Sequence, residues 1–184
     1  MAGVWDTTRI HAVPGGVGPE FSPPDLPIPG RTVLHLGQKK WRKNPDFLHR
    51  LRLRLEGHGV RLRIIGPGWD GPPLADRDKP ALYRSADVFV FPSTLEGFGL
   101  PVLEAMASGL PVVVSTQPAL MELVTDGVEG RVLPLDLDLW VDAVLTIFRV
   151  QGQWAAMRGA ALATAKQYPW GRSARAWIQV ASEL

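Results

Sequence analysis

Two glutamates, Glu96 and Glu104, form the pattern E-x7-E around a turn that contains glycine. Between them, Phe98, Gly99 and Leu100 lie at the predicted start of a helix. A helix N-terminus leaves amide donors unpaired and carries partial positive charge, so it favours an anion such as phosphate. Glu104, about one turn into that helix, has the chemistry to accept two hydrogen bonds from a ribose diol. The same pattern also fits a buried crossover in which Glu104 is a solvated helix residue and Glu96 a loop charge.

The flanking residues predict a strand, a loop, a helix and a second strand. Val88–Phe91 is apolar, β-branched and aromatic, as is typical of a strand buried on both faces. Gly97 and Gly99 give the loop conformational freedom. Gly109 is expected to cap the helix, and residues 112–114 to form the next strand. A unit of this kind implies a parallel sheet and an α/β fold.

Periodicity and turn residues predict the remaining elements. Further strands are expected over Thr32–Leu36, 60–65 and Gly130–Leu133. Helices are expected from Pro45 and over 81–86, 118–124, 136–150 and 153–167. A last helix starts at Pro169 and Trp170, with Trp177, Ile178 and Ala174 predicted to face inward.

Composition limits the class of protein. A chain of 184 residues with 46% hydrophobic and 21% charged residues is typical of one soluble globular domain with appendages. The net charge of +2 gives little support for nucleic acid or a membrane as a partner, and neither is expected. Without cysteine there is no disulfide and no thiolate metal site. The absence of an evident signal peptide or membrane-spanning run makes the cytoplasm the expected location.

Metal binding has weak support in the sequence. The four histidines lack metal-ligand spacing among themselves. The D-x-D matches at 76–78 and 136–138 are short, and the second starts a helix, where acidic residues are favoured anyway. We therefore expect no metal and no cofactor.

Residues 81–115, A-L-Y-R-S-A-D-V-F-V-F-P-S-T-L-E-G-F-G-L-P-V-L-E-A-M-A-S-G-L-P-V-V-V-S, closely resemble the donor-binding domain of GT-B glycosyltransferases, specifically the large retaining family 4. The resemblance implies a Rossmann-like parallel sheet with flanking helices, the C-terminal half of a GT-B enzyme. It implies transfer of a sugar, with retention and without a metal, from a UDP-, GDP- or ADP-sugar to an unidentified acceptor.

The resemblance also implies roles for the two glutamates and the turn between them. Glu96 would contact the sugar hydroxyls and orient the anomeric carbon. Glu104 would bind the ribose. The amides of Phe98, Gly99 and Leu100 would hold the diphosphate.

A basic loop, G-Q-K-K-W-R-K-N, follows the first predicted strand, where open α/β sheets bind ligands. In the resembling family a G-R-x4-K pattern here places Arg and Lys on the donor diphosphate. Lys43 matches the Lys and is assigned with Glu96 to catalysis; a surface lysine is the alternative. Gln38 stands in the Arg position, so one cation is lost. Gly37, Gln38 and the turn at Gly66 are assigned to donor binding.

Residues 67–80 depart from the family, which usually fits a helix and a further strand there. That strand helps to hold the nucleotide base. The segment here reads as a loop, rich in Pro, Gly and Asp. The base side of the site is therefore expected to be shortened.

Three segments are expected: a Pro/Gly-rich linker or arm at 1–30, the donor domain at 31–168, and a closing helix at 169–184. The resemblance implies that this helix packs toward an N-terminal acceptor domain, which this sequence lacks. A separate acceptor-domain chain would then be a partner, and this chain alone is expected to be inactive. The alternative is a non-catalytic nucleotide-binding or interaction module derived from the fold, favoured by Gln38 and the short 67–80 segment.

Overall fold

The computed structural model of the chain describes residues 11–24, 30–69 and 74–182. Five parallel strands form one sheet in the order β2-β1-β3-β4-β5. They are β1 Thr32–Leu36, β2 Arg61–Ile65, β3 Val88–Phe91, β4 Val112–Ser115 and β5 Gly130–Leu133. The predicted α/β parallel sheet is confirmed, with strand bounds within one residue of those expected.

Seven α-helices connect or cover these strands in the described residues. They are α1 Pro45–Glu56, α2 Lys79–Arg84, α3 Leu100–Ala107, α4 Pro118–Met121, α5 Leu137–Arg149, α6 Gln153–Ala165 and α7 Trp170–Ser182. Two 3-10 turns, Trp41–Lys43 and Asp76–Asp78, precede α1 and α2. α2 therefore begins two residues earlier than predicted, and the part of 67–80 next to it is helical rather than loop. No helix in these described ranges is long and apolar enough to cross a membrane.

The strand order creates a crevice between β1 and β3. From β1 the chain moves outward to β2, then returns to the other side of β1 and continues through β3, β4 and β5. The loops after β1 and β3 therefore diverge at the carboxyl edge of the sheet. Open α/β sheets bind ligands at this kind of topological switch point.

Two apolar layers bury the sheet on both faces, as the sequence of β3 predicts. Leu34 and Phe89 pack in the layer that contains α2 and α3. Val33 and Val88 pack in the layer that contains α1 and α5. All four side chains are completely buried, so the central strands form a rigid base for the loops at their ends.

Residues 11–24 pack against the start of α7. The Val17 N–H donates to the Tyr168 carbonyl at 2.8 Å, and the Ser173 hydroxyl donates to the Pro14 carbonyl at 2.7 Å. The described part of the predicted arm is thus anchored on the domain. Met1 to Ile10 and residues 25–29, which belong to the same predicted arm, lie outside the described residues.

The prediction that α7 turns Trp177 and Ile178 inward is wrong. Their exposed fractions are 64% and 69%, and Ala174 is also exposed. The inward stripe is instead formed by the small or short residues Ser173, Ala176 and Val180. The physical reason is the close approach of the arm, which leaves room for a serine hydroxyl bonded to a carbonyl but places the larger side chains outside.

Candidate functional site

Lys43 and Glu96, the two predicted catalytic residues, form an ion pair at the mouth of the crevice. Their side chains are only 6% and 8% exposed. Lys43 Nζ also lies 4.0 Å from the centroid of the Phe91 ring, a favourable cation–π contact. Burial lowers the pKa of Lys43, although the hydrogen bond to Glu96 acts in the opposite direction. The structure thus brings together two residues that are 53 positions apart.

Ser93 and Ser115, which the sequence patterns did not indicate as site residues, hold the loop after β3 in place. The Ser93 hydroxyl lies 2.5 Å from Glu96 Oε1 and donates to it. The Ser115 hydroxyl in turn donates to the Ser93 carbonyl. Thr94 N–H donates to the Arg42 carbonyl at 2.8 Å, which ties this loop to the loop after β1. The available signal was that both serines lie at the carboxyl ends of buried strands, Ser93 shortly after β3 and Ser115 as the last residue of β4.

The start of α3 presents unpaired amides. Gly99 has φ +94° and ψ +39°, and its carbonyl accepts from the N–H groups of the first helical turn. In the part of the chain that the structure describes, the N–H groups of Phe98, Gly99 and Leu100 donate to no partner. These are three donors at the positive end of a helix dipole, the geometry that suits a phosphate.

Gly97 and Gly99, in the loop after β3, differ in whether a side chain could replace the glycine. A Cβ on Gly99 would come within 2.7 Å of Leu120 Cδ2, at a φ that other residues rarely adopt. A Cβ on Gly97 would meet nothing within 4 Å, and its φ is not left-handed. Only Gly99 is therefore obligatory for the loop that was predicted to need both.

Glu104 lies at one side of a cavity of about 420 Å³. Tyr83, which is completely buried, donates its hydroxyl to Glu104 Oε2 at 2.8 Å. Oε1 has no hydrogen-bond partner among the described residues. Burial raises the pKa of the Glu104 carboxyl, and the Tyr83 hydrogen bond opposes this rise. One carboxylate oxygen is thus fixed from below and the other remains free to accept hydrogen bonds.

The glycine turns after β1 and β2 form the opposite side of the same cavity. Gly37 N–H donates to the Ile65 carbonyl at 3.0 Å, and a Cβ on Gly66 would lie 2.3 Å from the Gly37 oxygen. Gly66 also has φ +132°, so the turn excludes any side chain there. Trp69 Nε1 donates to the Gly37 carbonyl at 2.8 Å and fixes this wall.

The cavity brings together five of the seven predicted donor-binding residues: Gly37, Gln38, Gly66, Leu100 and Glu104. Phe98 and Gly99 precede Leu100 at the helix start but do not line it. The Phe98 ring instead packs edge-on against Tyr168, with centroids 6.0 Å apart. The remaining wall comes from the 67–80 segment, through Pro67, Leu74, Asp76 and Lys79. Residues 70–73 of that segment lie outside the described residues.

His35 is a buried polar residue that the sequence patterns did not indicate. Its ring is completely buried, and Nδ1 lies 3.0 Å from the Val90 carbonyl, so Nδ1 is assigned the proton. Burial lowers the pKa of His35 to about 4. The neutral ring packs against Gly37. A Cβ added to Gly37 would lie 3.4 Å from His35 Nε2.

A second cavity of about 510 Å³ lies between the arm and the start of α7. Its lining is apolar except for Ser22 and Lys166. Within the described residues, no group of three or more His, Asp or Glu side chains could hold a metal ion. The predicted site residues lie around the cavity that contains Glu104 and in the Lys43–Glu96 pair.

Comparison with known proteins gives a consistent assignment. A family model described as glycosyl transferases group 1 matches residues 30–149. A D-inositol 3-phosphate glycosyltransferase from Xylanimonas cellulosilytica is 30% identical, over 95% of this chain and 51% of that protein. The O-antigen chain mannosyltransferase B from Escherichia coli is 45% identical, over 53% of this chain and 25% of that protein. The chain thus spans about half, or less, of the length of these relatives.

Solved structures share the fold. Anabaena Alr3699/HepE in complex with UDP and glucose has a TM-score of 0.75 and 22% identity, and the match covers 83% of this chain and 48% of that chain. The C-terminal domain of the group 1 family protein LpcC from Francisella tularensis has a TM-score of 0.71 and 22% identity, over 83% of this chain and 97% of that domain. The predicted Rossmann-like fold of GT-B C-terminal domains is confirmed.

Proposed function

The chain belongs to the glycosyl transferases group 1 family, and we propose that it is the donor-binding half of a retaining, metal-independent glycosyltransferase. The proposal rests chiefly on one observation. The cavity at the switch point is lined by Glu104, whose Oε1 is free, and by Leu100, the last of the three residues with unpaired amides at the start of α3. A nucleoside diphosphate needs these two features, an acceptor pair for its ribose and donors for its phosphates.

In the proposed complex the ribose hydroxyls donate to Glu104. The diphosphate accepts from the amides of residues 98–100 and from Gln38 N–H, which also lacks a partner among the described residues. Lys43 provides the positive charge beside them. The structures of HepE with UDP and glucose, and of the pneumococcal O-GlcNAc transferase GtfA with UDP and GlcNAc, support a UDP-sugar type of donor for this fold.

Cleavage of the anomeric C–O bond leaves negative charge on the departing diphosphate. The amides at the start of α3 and Lys43 stabilise this charge without moving, because hydrogen bonds between the loops after β1 and β3 already hold these groups in position. Glu96 uses Oε1 to hold Lys43 and Ser93. Its Oε2 has no partner among the described residues and is free to accept from a sugar hydroxyl.

We expect the acceptor to be bound by a further, N-terminal domain. The relative from Xylanimonas cellulosilytica extends well beyond the match, which covers 51% of its length. Without such a domain this chain would bind the donor but not transfer the sugar. A cytoplasmic location fits a nucleotide-sugar donor.

Calorimetric titration with UDP, GDP and ADP tests the donor site. We expect at least one of them to bind, and Glu104→Ala to weaken that binding. Glu56→Ala is the matched control, because Glu56 ends α1 at the opposite edge of the sheet. Absence of binding by all three nucleotides up to millimolar concentration would reject the proposal. Equal weakening by both variants would reject the role of Glu104.

A further inference from the structure

We propose that the outer edge of β2 binds an extended, acidic segment of another protein chain, which adds to the sheet as a sixth strand. β2 is the last strand on its side of the sheet. Residues 67–80 follow it, and their described part forms a 3-10 turn and the start of α2, so it provides no strand that covers β2. This inference goes beyond the proposed donor site and does not depend on it.

The outer edge of β2 carries unpaired backbone groups. Arg61 N–H donates, and the Ile65 carbonyl accepts, hydrogen bonds of 3.0 Å with the residues that flank β1. Successive residues of a strand direct their N–H and C=O groups to alternate sides, so Leu62 and Ile64 direct theirs away from β1. In the part of the chain that the structure describes, these four groups have no hydrogen-bond partner. Such an edge is a template for pairing with a further strand.

Two arginine side chains give this edge its charge. Arg61 is exposed and Arg63 is half-buried. Arg63 Nη1 donates to the Ser85 hydroxyl at 2.8 Å, which is a neutral partner. Neither arginine forms an ion pair with another described residue. Because alternate side chains of a strand share one face, the two arginines project from the same face, about 7 Å apart along the strand.

One acidic residue lies close to Arg61. Glu56, the last residue of α1, shares a cavity of about 450 Å³ with Arg31 and Arg61. Glu56 Oε1 also lies 4.0 Å from Arg52 Nε. Three arginines thus surround one carboxylate, and this end of the edge keeps a net positive charge.

The partner strand that fits this edge carries acidic side chains at alternate positions. Carboxylates two residues apart would lie opposite Arg61 and Arg63, where opposite charges stabilise strand pairing. Apolar residues at the intervening positions would lie on the other face of the sheet, beside the half-buried Ile64. A second copy of β2 does not fit, because symmetric antiparallel pairing would place arginines opposite arginines, and like charges in that position are destabilising.

Titration of the chain with two labelled peptides tests the inference. One is acetyl-Thr-Glu-Val-Glu-Val-Thr-amide, and the other has lysine in place of both glutamates. We expect the glutamate peptide to bind saturably and at least about tenfold more tightly than the lysine peptide. Arg61→Glu/Arg63→Glu should reverse this preference, and an unfolded variant could not show that gain of binding. Arg50→Glu/Arg149→Glu is the matched control, because it changes the net charge equally at exposed positions of α1 and α5.

Amide hydrogen exchange measured by NMR locates the bound peptide. The N–H groups of Leu62 and Ile64 should exchange at least about tenfold more slowly with saturating glutamate peptide, because they then donate to it. The N–H of Arg63 is the internal control. It faces β1 already, so its exchange should change less.

Three results would overturn the inference. The first is an absence of saturable binding up to millimolar glutamate peptide. The second is equal binding of the two peptides, or unchanged exchange at Leu62 and Ile64, since the peptide would then lie elsewhere. The third is self-association in sedimentation that Arg61→Glu/Arg63→Glu abolishes, which would assign the edge to a second copy of the chain. None of these results bears on nucleotide binding, so the proposed donor site is tested separately.

Discussion

Replacing Lys43 with methionine removes the positive charge from a pair that is almost completely buried. Glu96, 8% exposed, would then keep only the Ser93 hydroxyl on its paired oxygen. Breaking a buried ion pair from one side costs about 3–5 kcal/mol, because a charge remains without its partner. Two contacts should keep the cost near the lower end of this range. Glu96 keeps its hydrogen bond from Ser93, and the methionine sulfur can contact the Phe91 ring where the lysine made its cation–π contact. We expect a loss of about 3 kcal/mol in the free energy of unfolding.

Urea unfolding followed by tryptophan fluorescence measures this loss. With a slope of about 2 kcal/mol per molar urea, the midpoint should fall by about 1.5 M. Lys40→Met is the control, because Lys40 is exposed in the same loop, and it should change the stability by no more than about 0.5 kcal/mol.

The double variant Lys43→Met/Glu96→Gln tests whether the cost arises from the unpaired charge. Removal of both charges should recover at least about 1.5 kcal/mol relative to the sum of the two single variants. Simple additivity of the single variants, or equal midpoints for Lys43→Met and Lys40→Met, would refute the argument that the pair is energetically coupled.

Three further predictions follow from the same part of the fold. Burial raises the pKa of Glu104 in the folded protein above its ordinary value near 4.5. The protonated carboxyl is therefore the form that stabilises the fold. This stabilisation is complete below pH 4.5 and is lost as the pH rises through the pKa of Glu104 in the folded protein. Glu104→Gln should therefore raise the unfolding free energy at pH 7, yet weaken nucleotide binding about tenfold. If the unfolding free energy of Glu104→Gln had the same pH dependence as that of the wild type, this reasoning would be contradicted. Gly99→Ala should lower Tm by about 4–8 °C, from about 2 kcal/mol of left-handed strain and steric contact, whereas Gly97→Ala should leave Tm nearly unchanged; equal shifts in calorimetry would contradict the assigned backbone roles. As pH falls from 6.5 to about 4, the lowered pKa of His35 should reduce stability by about 3 kcal/mol, and urea titrations of His35→Leu should lack this component.

The sequence of the central strands was sufficient to predict most of the fold. The apolar residues of β3 and β4 are typical of strands that are buried on both faces, as in a parallel sheet. The helix start at Leu100 followed from glycine and proline placement. The family resemblance then supplied roles for Lys43 and Glu104 that residue spacing alone left open.

What the sequence did not predict depends on contacts between distant segments. The apolar periodicity of α7 placed Trp177 inward, but the approach of the arm to Ser173 decided which side of that helix is covered. Asp76 belongs to a segment whose composition indicates only a loop, and its place beside Glu104 follows from the path of the chain between β2 and β3. His35 is one histidine in a strand pattern, and only the positions of neighbouring strands show that it is buried.

The position of the candidate site between β1 and β3 has a consequence for when the proposed nucleotide site can form during folding. The two strands are neighbours in the sheet, yet a whole βα excursion through β2 separates them along the chain. Closing so long a loop is slow, and no short fragment contains both halves of the crevice. Nucleotide affinity should therefore arise late in folding, together with pairing of the central strands. A bound nucleotide would then act as a ligand that selects completely folded molecules and slows their unfolding.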